Sequence, residues 1–160
     1  MIEQWTDFNV AMAGATAALA GLVIVAASVN IGEVVKSETL TARLLAGIST
    51  LVLALIVSGL GLMPDLDPTW YGALIVVATV LLGLFQVNVA RLLARDPDRA
   101  DRARPLRYLL GFLPLSAYLV AGVLVWAGHP SGLYLTAAGC LLAIVAAIVI
   151  SWVALVEVLR

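Results

Sequence analysis

The chain has 160 residues, of which 63% are hydrophobic and 12% are charged, and its net charge at pH 7 is −1. Soluble domains carry about 25% charged residues, so this composition excludes a soluble globular protein. The apolar segments use most of the length, which leaves no room for a separate catalytic domain.

Five apolar segments follow one another along the chain, and each is long enough to cross roughly 30 Å of hydrocarbon at about 1.5 Å per residue. The sequence therefore predicts an all-α integral membrane bundle that forms a single domain over residues 1–160. The expected transmembrane helices are residues 8–31, 44–63, 70–90, 108–127 and 133–156. Because the connections are short, neighbouring helices are expected to be antiparallel.

The charged residues predict the orientation. With five spans, all nine Lys and Arg residues fall on one side of the membrane. Basic loops stay in the cytoplasm, so the N-terminus is expected outside and the C-terminus inside a bacterial inner membrane. Aromatic residues that favour the headgroup level are expected near the outer boundary, namely Trp5, Trp70, Tyr71, Trp126 and Tyr134.

Small residues mark one face of the first span. Spacings of four and three residues relate its members, which are Gly14, Ala18, Gly21, Val25 and Ser28. Such a face lets another helix backbone approach closely. Two interpretations stay open, packing within the chain or a surface for self-association or pore lining. The second span has a similar face made of Gly47, Thr50, Ala54, Ser58 and Gly61.

Two amides, Gln86 and Asn88, lie in the inner part of the third span, where an amide seeks a partner on another helix. They lie about 200° apart on the helix, so at most one is expected to face a shared cavity. At the start of this span, Asp67 is expected to cap the helix, with Pro68 in its first turn.

Acidic residues and one histidine are expected at the outer rim. Asp7, Asp65, Asp67 and His129 are candidate metal ligands there, with Glu3 nearby, since carboxylates and imidazole bind divalent cations. The alternative is that these groups are solvated loop residues, because their spacing matches no metal motif.

An arginine-rich segment links the third and fourth spans. Arg95, Arg99, Arg102 and Arg104 are expected to anchor the bundle on the cytoplasmic side, or else to contact anionic lipid or a partner protein. Aspartates dilute the basic charge, so nucleic acid is not expected as a partner.

Catalytic motifs are not found. The chain has one histidine and one cysteine, and no nucleotide, hydrolase or metalloprotease signature occurs. We expect neither a catalytic residue nor a cofactor, and we expect Cys140 to pack as a small apolar side chain.

AGATAALAGLV at residues 13–23, followed by ASVNI at residues 27–31, resembles the first span of small uncharacterised bacterial multispanning membrane proteins. The similarity extends to MPD at residues 63–65. This resemblance implies no activity.

Taken together, these features favour a non-enzymatic bundle that associates with itself, and one form of this hypothesis is a pathway for ions or small solutes. The first alternative is an accessory or regulatory subunit of a larger membrane complex, and the second is a membrane enzyme acting at the outer acidic rim. In each case the lipid bilayer is a partner, together with a second copy of the chain or another membrane protein.

Overall fold

A computed structural model of the chain describes residues 2–94 and 104–158, which contain helices and turns and no strand. A short 3₁₀ turn, Ile2–Trp5, leads into six α-helices, which are α1 Thr6–Val29, α2 Ile31–Lys36, α3 Glu38–Leu60, α4 Pro68–Ala94, α5 Arg104–Trp126 and α6 Ser131–Val158.

Four helical segments are long and apolar enough to cross a membrane: Ile2–Val29, Glu38–Leu60, Pro68–Leu92 and Ser131–Ala154. The fifth helix, α5, carries a shorter apolar stretch, Gly111–Trp126. The protein is therefore all-helical and has the helices of a membrane protein, as the sequence predicts.

The connection between the first two spans differs from the expectation. Residues 32–43, expected as a loop, are mostly helical, because α2 follows α1 after Asn30 and α3 begins at Glu38. Ser37 separates the two helices in an extended conformation, and its hydroxyl accepts a hydrogen bond from the Leu40 amide at 3.3 Å. This side chain satisfies one of the free amides at the start of α3.

Turns at the other end of the bundle have well-defined caps. The Thr69 amide donates to the Asp67 carboxylate at 2.7 Å, so Asp67 caps α4 as the sequence predicts. Gly128 ends α5 in the left-handed conformation with φ of 78°. The His129 amide can then donate to the Leu124 carbonyl at 2.8 Å, which closes the last turn of α5.

Helices α3, α4, α5 and α6 form a ring in which each packs against its two neighbours, and α1 lies outside the ring, mainly against α3. Large side chains that fill the ring include Leu53, Tyr71, Ile75, Tyr118 and Val125. At Gly72, α4 and α5 approach so closely that a Cβ atom would collide with the backbone of Trp126.

Burial distinguishes α1 from α3. In α3, twelve of the 23 residues are buried. In α1, two of the 24 residues are buried, Asn9 and Thr16. Helix α3 is thus much more buried than α1, which is attached to the outside of the ring.

Candidate functional site

The small residues predicted for the first span form an exposed surface on α1. We call this surface the α1 face, and its members are Gly14, Ala18, Gly21, Val25 and Ser28, all of them exposed. A Cβ atom added at Gly14 or Gly21 would meet no other part of the described chain within 4 Å. The α1 face therefore does not pack against the described remainder of its own chain.

The α1 face is apolar and needs no polar partner. Its one hydroxyl, on Ser28, donates to the Ile24 carbonyl at 2.8 Å within the same helix. Large exposed residues flank the face, including Leu22 and Val29, of which 65% and 79% of the surface is accessible. This combination is typical of a surface in contact with lipid or with another apolar helix.

The opposite side of α1 attaches the helix to the ring. The Thr16 hydroxyl is buried and donates to the Met12 carbonyl at 2.7 Å. Nearer the start of the helix, the buried Asn9 side chain lies against Gly61, close to the Tyr71 hydroxyl. The sequence-based interpretation missed Asn9, although an asparagine just inside an apolar span is a signal for a helix–helix contact.

The second small-residue face, on α3 and its C-cap residue Gly61, is buried over its whole length. We call it the α3 face, and its members are Gly47, Thr50, Ala54, Ser58 and Gly61. A Cβ atom at Gly47 would lie 3.3 Å from the Ser151 hydroxyl and 3.7 Å from Ile150, so this part of the face packs directly on α6. The Thr50 hydroxyl donates to the Gly47 carbonyl at 2.7 Å, which leaves it satisfied within α3.

The two amides of α4 point in different directions. Gln86 is buried, and its side chain donates to the Ala46 carbonyl of α3 at 3.3 Å. Asn88 is exposed and lies beside a surface groove between α3 and α4. Of the two amides, Gln86 therefore joins two helices by a hydrogen bond. This bond places Gln86 of α4 beside Ala46 of α3 along the length of the bundle.

The candidate metal ligands are dispersed. Asp7, Asp65, Asp67 and His129 are all exposed. Among residues 2–94 and 104–158, no three His, Cys, Asp or Glu side chains come close enough to hold a metal ion together. The hydrogen bond from the Thr69 amide holds the pKa of Asp67 below its ordinary value. This contact shows that Asp67 stabilises the start of α4 as its cap.

The arginine-rich segment falls mostly beyond the part of the chain that the structure describes. Arg95, Arg99 and Arg102 lie outside the described residues, and Arg104 is the first residue of α5. Of the other basic residues, Lys36, Arg43 and Arg91 lie near the ends of α2, α3 and α4 that share one end of the bundle.

A buried group of hydroxyls and a thiol lies inside the ring. Tyr71, expected at the membrane boundary, is 1% exposed, and its hydroxyl donates to the Val57 carbonyl at 3.2 Å. Its neighbour Trp70 is exposed, because consecutive residues point about 100° apart on a helix. The Cys140 side chain lies next to Tyr118 and Ser58, where it packs among apolar residues of the core.

Comparison of the chain with protein families, with curated proteins and with solved structures finds no match. The argument for a function therefore depends on the molecule's own surfaces. Of these, the α1 face is the candidate site, because it has the composition of a helix–helix interface and no partner in the described chain.

Proposed function

We propose that this protein is a non-enzymatic membrane bundle that associates with a second copy of itself through the α1 face. The observation that carries the proposal is the exposure of Gly14 and Gly21, each with no neighbouring atom within 4 Å. An accessory role beside a different membrane protein would use the same surface, and the experiment below distinguishes the two.

The chemistry of lipid supports helix association at such a face. Lipid chains are as apolar as leucine, so burying Val25 or Leu22 against another helix gains little from the hydrophobic effect. Close backbone approach is what stabilises helix pairs in a bilayer, and small side chains allow it. Gly14, Ala18 and Gly21 supply three small side chains along nearly two turns of α1.

Five spans are proposed, with the N-terminus outside and the C-terminus in the cytoplasm. The hydrogen bond between Gln86 and Ala46 supports the view that Lys36, Arg43 and Arg91 lie at the same end of the bundle. Basic residues gathered at one end are typical of the cytoplasmic side. At the opposite end, the rings of Trp5 and Tyr134 pack edge to face with centroids 5.0 Å apart, as suits an interfacial aromatic pair.

A pathway for ions or small solutes would run between copies of the chain. Tyr71 and Tyr118 fill the centre of the ring with fully buried side chains. Such a route would lie between the copies of an assembled oligomer, and flux in vesicles of the purified protein is its direct measure.

The experiment is a mass measurement of the purified protein in mild detergent and in lipid nanodiscs, with Gly14→Leu and Gly21→Leu compared with the parent chain. We expect the parent to form a defined homo-oligomer and each variant to weaken it about fivefold or more, since overpacking costs about 1–3 kcal/mol and 1.4 kcal/mol is a factor of about ten.

The matched control is Gly59→Leu. Gly59 is an exposed helical glycine with no neighbour within 4 Å, but it lies on α3 and outside the α1 face. This control should keep the oligomer. A parent protein that is monomeric and recovers a different membrane protein would contradict self-association and favour the accessory role.

A further inference from the structure

An apolar surface runs along one side of α6. Its members are spaced by four and three residues, so they lie on one face of the helix. We call it the α6 strip, and its members are Tyr134, Ala138, Leu141, Val145, Ile148 and Trp152, all exposed except the half-buried Ala138. Tyr134 and Trp152 form the two ends, and each has 70% of its surface accessible. The α6 strip is therefore an aliphatic surface with an aromatic residue at each end.

A second surface with the same spacing lies on α4. We call it the α4 strip, and its members are Trp70, Leu74, Val77, Leu81, Leu84 and Asn88, all exposed except the half-buried Leu74. Trp70 lies at the start of α4, so this strip also begins with an aromatic residue. Asn88 is the first polar residue on this face, and the exposed Arg91 follows it within one turn. The α4 strip thus ends where the helix becomes polar.

The two strips have the same length. From Tyr134 to Trp152, and likewise from Trp70 to Asn88, the chain advances 18 residues, which is five turns or about 27 Å. Both helices run in the same direction, because the starts of α4 and α6 each pack against the end of α5. A helix tilted by about 20° from the membrane normal would cover about 25 Å of depth with this length.

Contacts with α3 align the two strips. The Gln86 side chain of α4 donates to the Ala46 carbonyl of α3 at 3.3 Å. The Ser151 hydroxyl of α6 lies against Gly47, which is the next residue of α3. The α4 strip ends two residues beyond Gln86, and the α6 strip ends one residue beyond Ser151. Both strips therefore end at the same level of the bundle.

We propose that the α4 and α6 strips face lipid and fit the protein to a bilayer whose hydrocarbon layer is about 25–27 Å thick. Acyl chains contact the aliphatic side chains of both strips. Trp70, Tyr134 and Trp152 lie at the headgroup level, which their amphipathic rings favour. This layer is thinner than the typical value of about 30 Å. The proposal is independent of self-association through the α1 face.

Side-chain size selects acyl chains over another protein helix as the occupant. The α1 face has the same alternation of four and three residues, but its glycines and alanine allow close backbone approach. In the α6 strip only Ala138 is small, and Leu141, Val145 and Ile148 would hold a second backbone away. Without close approach, another helix offers these side chains no more than lipid does, because lipid is equally apolar.

Spin labels test what contacts the strips. In a Cys140→Ala background in liposomes, labels at Val145→Cys and Leu81→Cys should be accessible to dissolved oxygen and protected from a water-soluble nickel chelate. The control Glu3→Cys, an exposed position outside both strips, should be accessible to the chelate. Label–label broadening at Val145→Cys that grows with protein concentration would place a second copy on the strip and overturn the proposal. A label at Ala18→Cys reports on self-association separately, so the two proposals can fail independently.

Bilayer thickness tests the length of the strips. The midpoint of thermal unfolding is measured in phosphatidylcholine bilayers of increasing acyl-chain length, with the thickness of each determined by X-ray scattering. We expect the midpoint to be highest where the hydrocarbon layer is about 25–27 Å thick, since mismatch in either direction costs free energy. A midpoint that is equal in all bilayers, or highest at about 30 Å or more, would contradict this fit.

A matched pair of variants moves one end of the α6 strip in opposite directions. In a Trp152→Leu background, Val156→Trp places the aromatic residue one turn further along α6, and Val149→Trp places it three residues nearer the middle. Both positions are exposed, so neither change disturbs the core. The thickness of highest stability should rise by up to about 6 Å in the first variant and fall by up to about 4–5 Å in the second. The same optimum in both variants would refute the role of the aromatic end.

Discussion

The α1 face and the α3 face have similar spacings of small residues and opposite environments. Gly47 of α3 is packed against α6, whereas Gly14 and Gly21 of α1 have no neighbour within 4 Å. The rest of each helix accounts for the difference, because α3 also buries large residues such as Leu51, which borders the α3 face, and Leu53, which lies away from it. A small-residue pattern thus predicts that a helix can approach another helix closely. The surrounding residues determine whether that other helix belongs to the same chain.

The largest expected effect comes from filling the α3 face. Gly47→Leu should lower the free energy of unfolding by about 1–3 kcal/mol, the typical cost of overpacking. Even a Cβ atom at this position would lie 3.3 Å from the Ser151 hydroxyl. Thermal unfolding in detergent, followed by circular dichroism, measures this loss. The control Gly59→Leu should change stability by less than about 0.5 kcal/mol. Equal effects of the two substitutions would show that the α3 face is not tightly packed.

Crosslinking tests whether the two faces differ in the assembled protein. In a Cys140→Ala background, we expect Ala18→Cys to form a disulfide between copies in membranes, because Ala18 is exposed on the α1 face. Ala54→Cys should remain unlinked, since Ala54 is 0% exposed inside the ring. Gel mobility without reductant is the measurement, and a dimer from Ala54→Cys alone would reverse the assignment of the two faces.

A smaller effect is expected from the polar contact between α3 and α4. Gln86→Leu should cost about 0.6 kcal/mol, the typical contribution of a hydrogen bond between membrane helices. Asn88→Leu should cost less, because Asn88 is exposed. The two unfolding midpoints, measured in the same detergent, make the comparison, and a larger loss for Asn88→Leu would contradict it.

The smallest effect concerns the turn that joins α3 to α4. The lowered pKa of Asp67 means that its carboxylate stabilises the folded state above the ordinary aspartate pKa. This contribution is lost as the pH falls through the lowered folded value. Thermal midpoints of the parent and of Asp67→Asn, measured from neutral to acidic pH, should therefore converge at acidic pH. A constant gap between them would exclude the carboxylate as the cause.

The sequence predicts the helical class well because lipid requires every backbone group in a span to be hydrogen-bonded internally. It predicts the helix ends less well. Residues 32–43 are expected as a loop because they include Lys36, Glu38 and Arg43, yet most of them are helical. A helix can continue past the hydrocarbon into water, where charged side chains are solvated. Hydropathy therefore marks the edges of the apolar region, and a helix need not stop there.

The environment of individual side chains is the feature that the sequence predicts least well. Tyr71 and Trp70 are adjacent and similar in chemistry, yet one fills the core and the other is exposed. A membrane helix carries apolar residues all around its axis, so no polar side distinguishes the surface that faces lipid from the surface that faces the core. For the same reason the sequence alone does not assign the two small-residue faces to interior and exterior.

The sparse burial of α1 has a consequence for how the protein is made. Helix α1 precedes α3 and α4 in the chain, so it leaves the ribosome before Gly61 and Tyr71, which lie beside the buried Asn9, have been synthesised. Until those helices arrive, α1 is a single helix in the bilayer with both sides open. Under the proposed self-association, an encounter with α1 of another nascent chain at that stage would pair the copies before either one has finished folding.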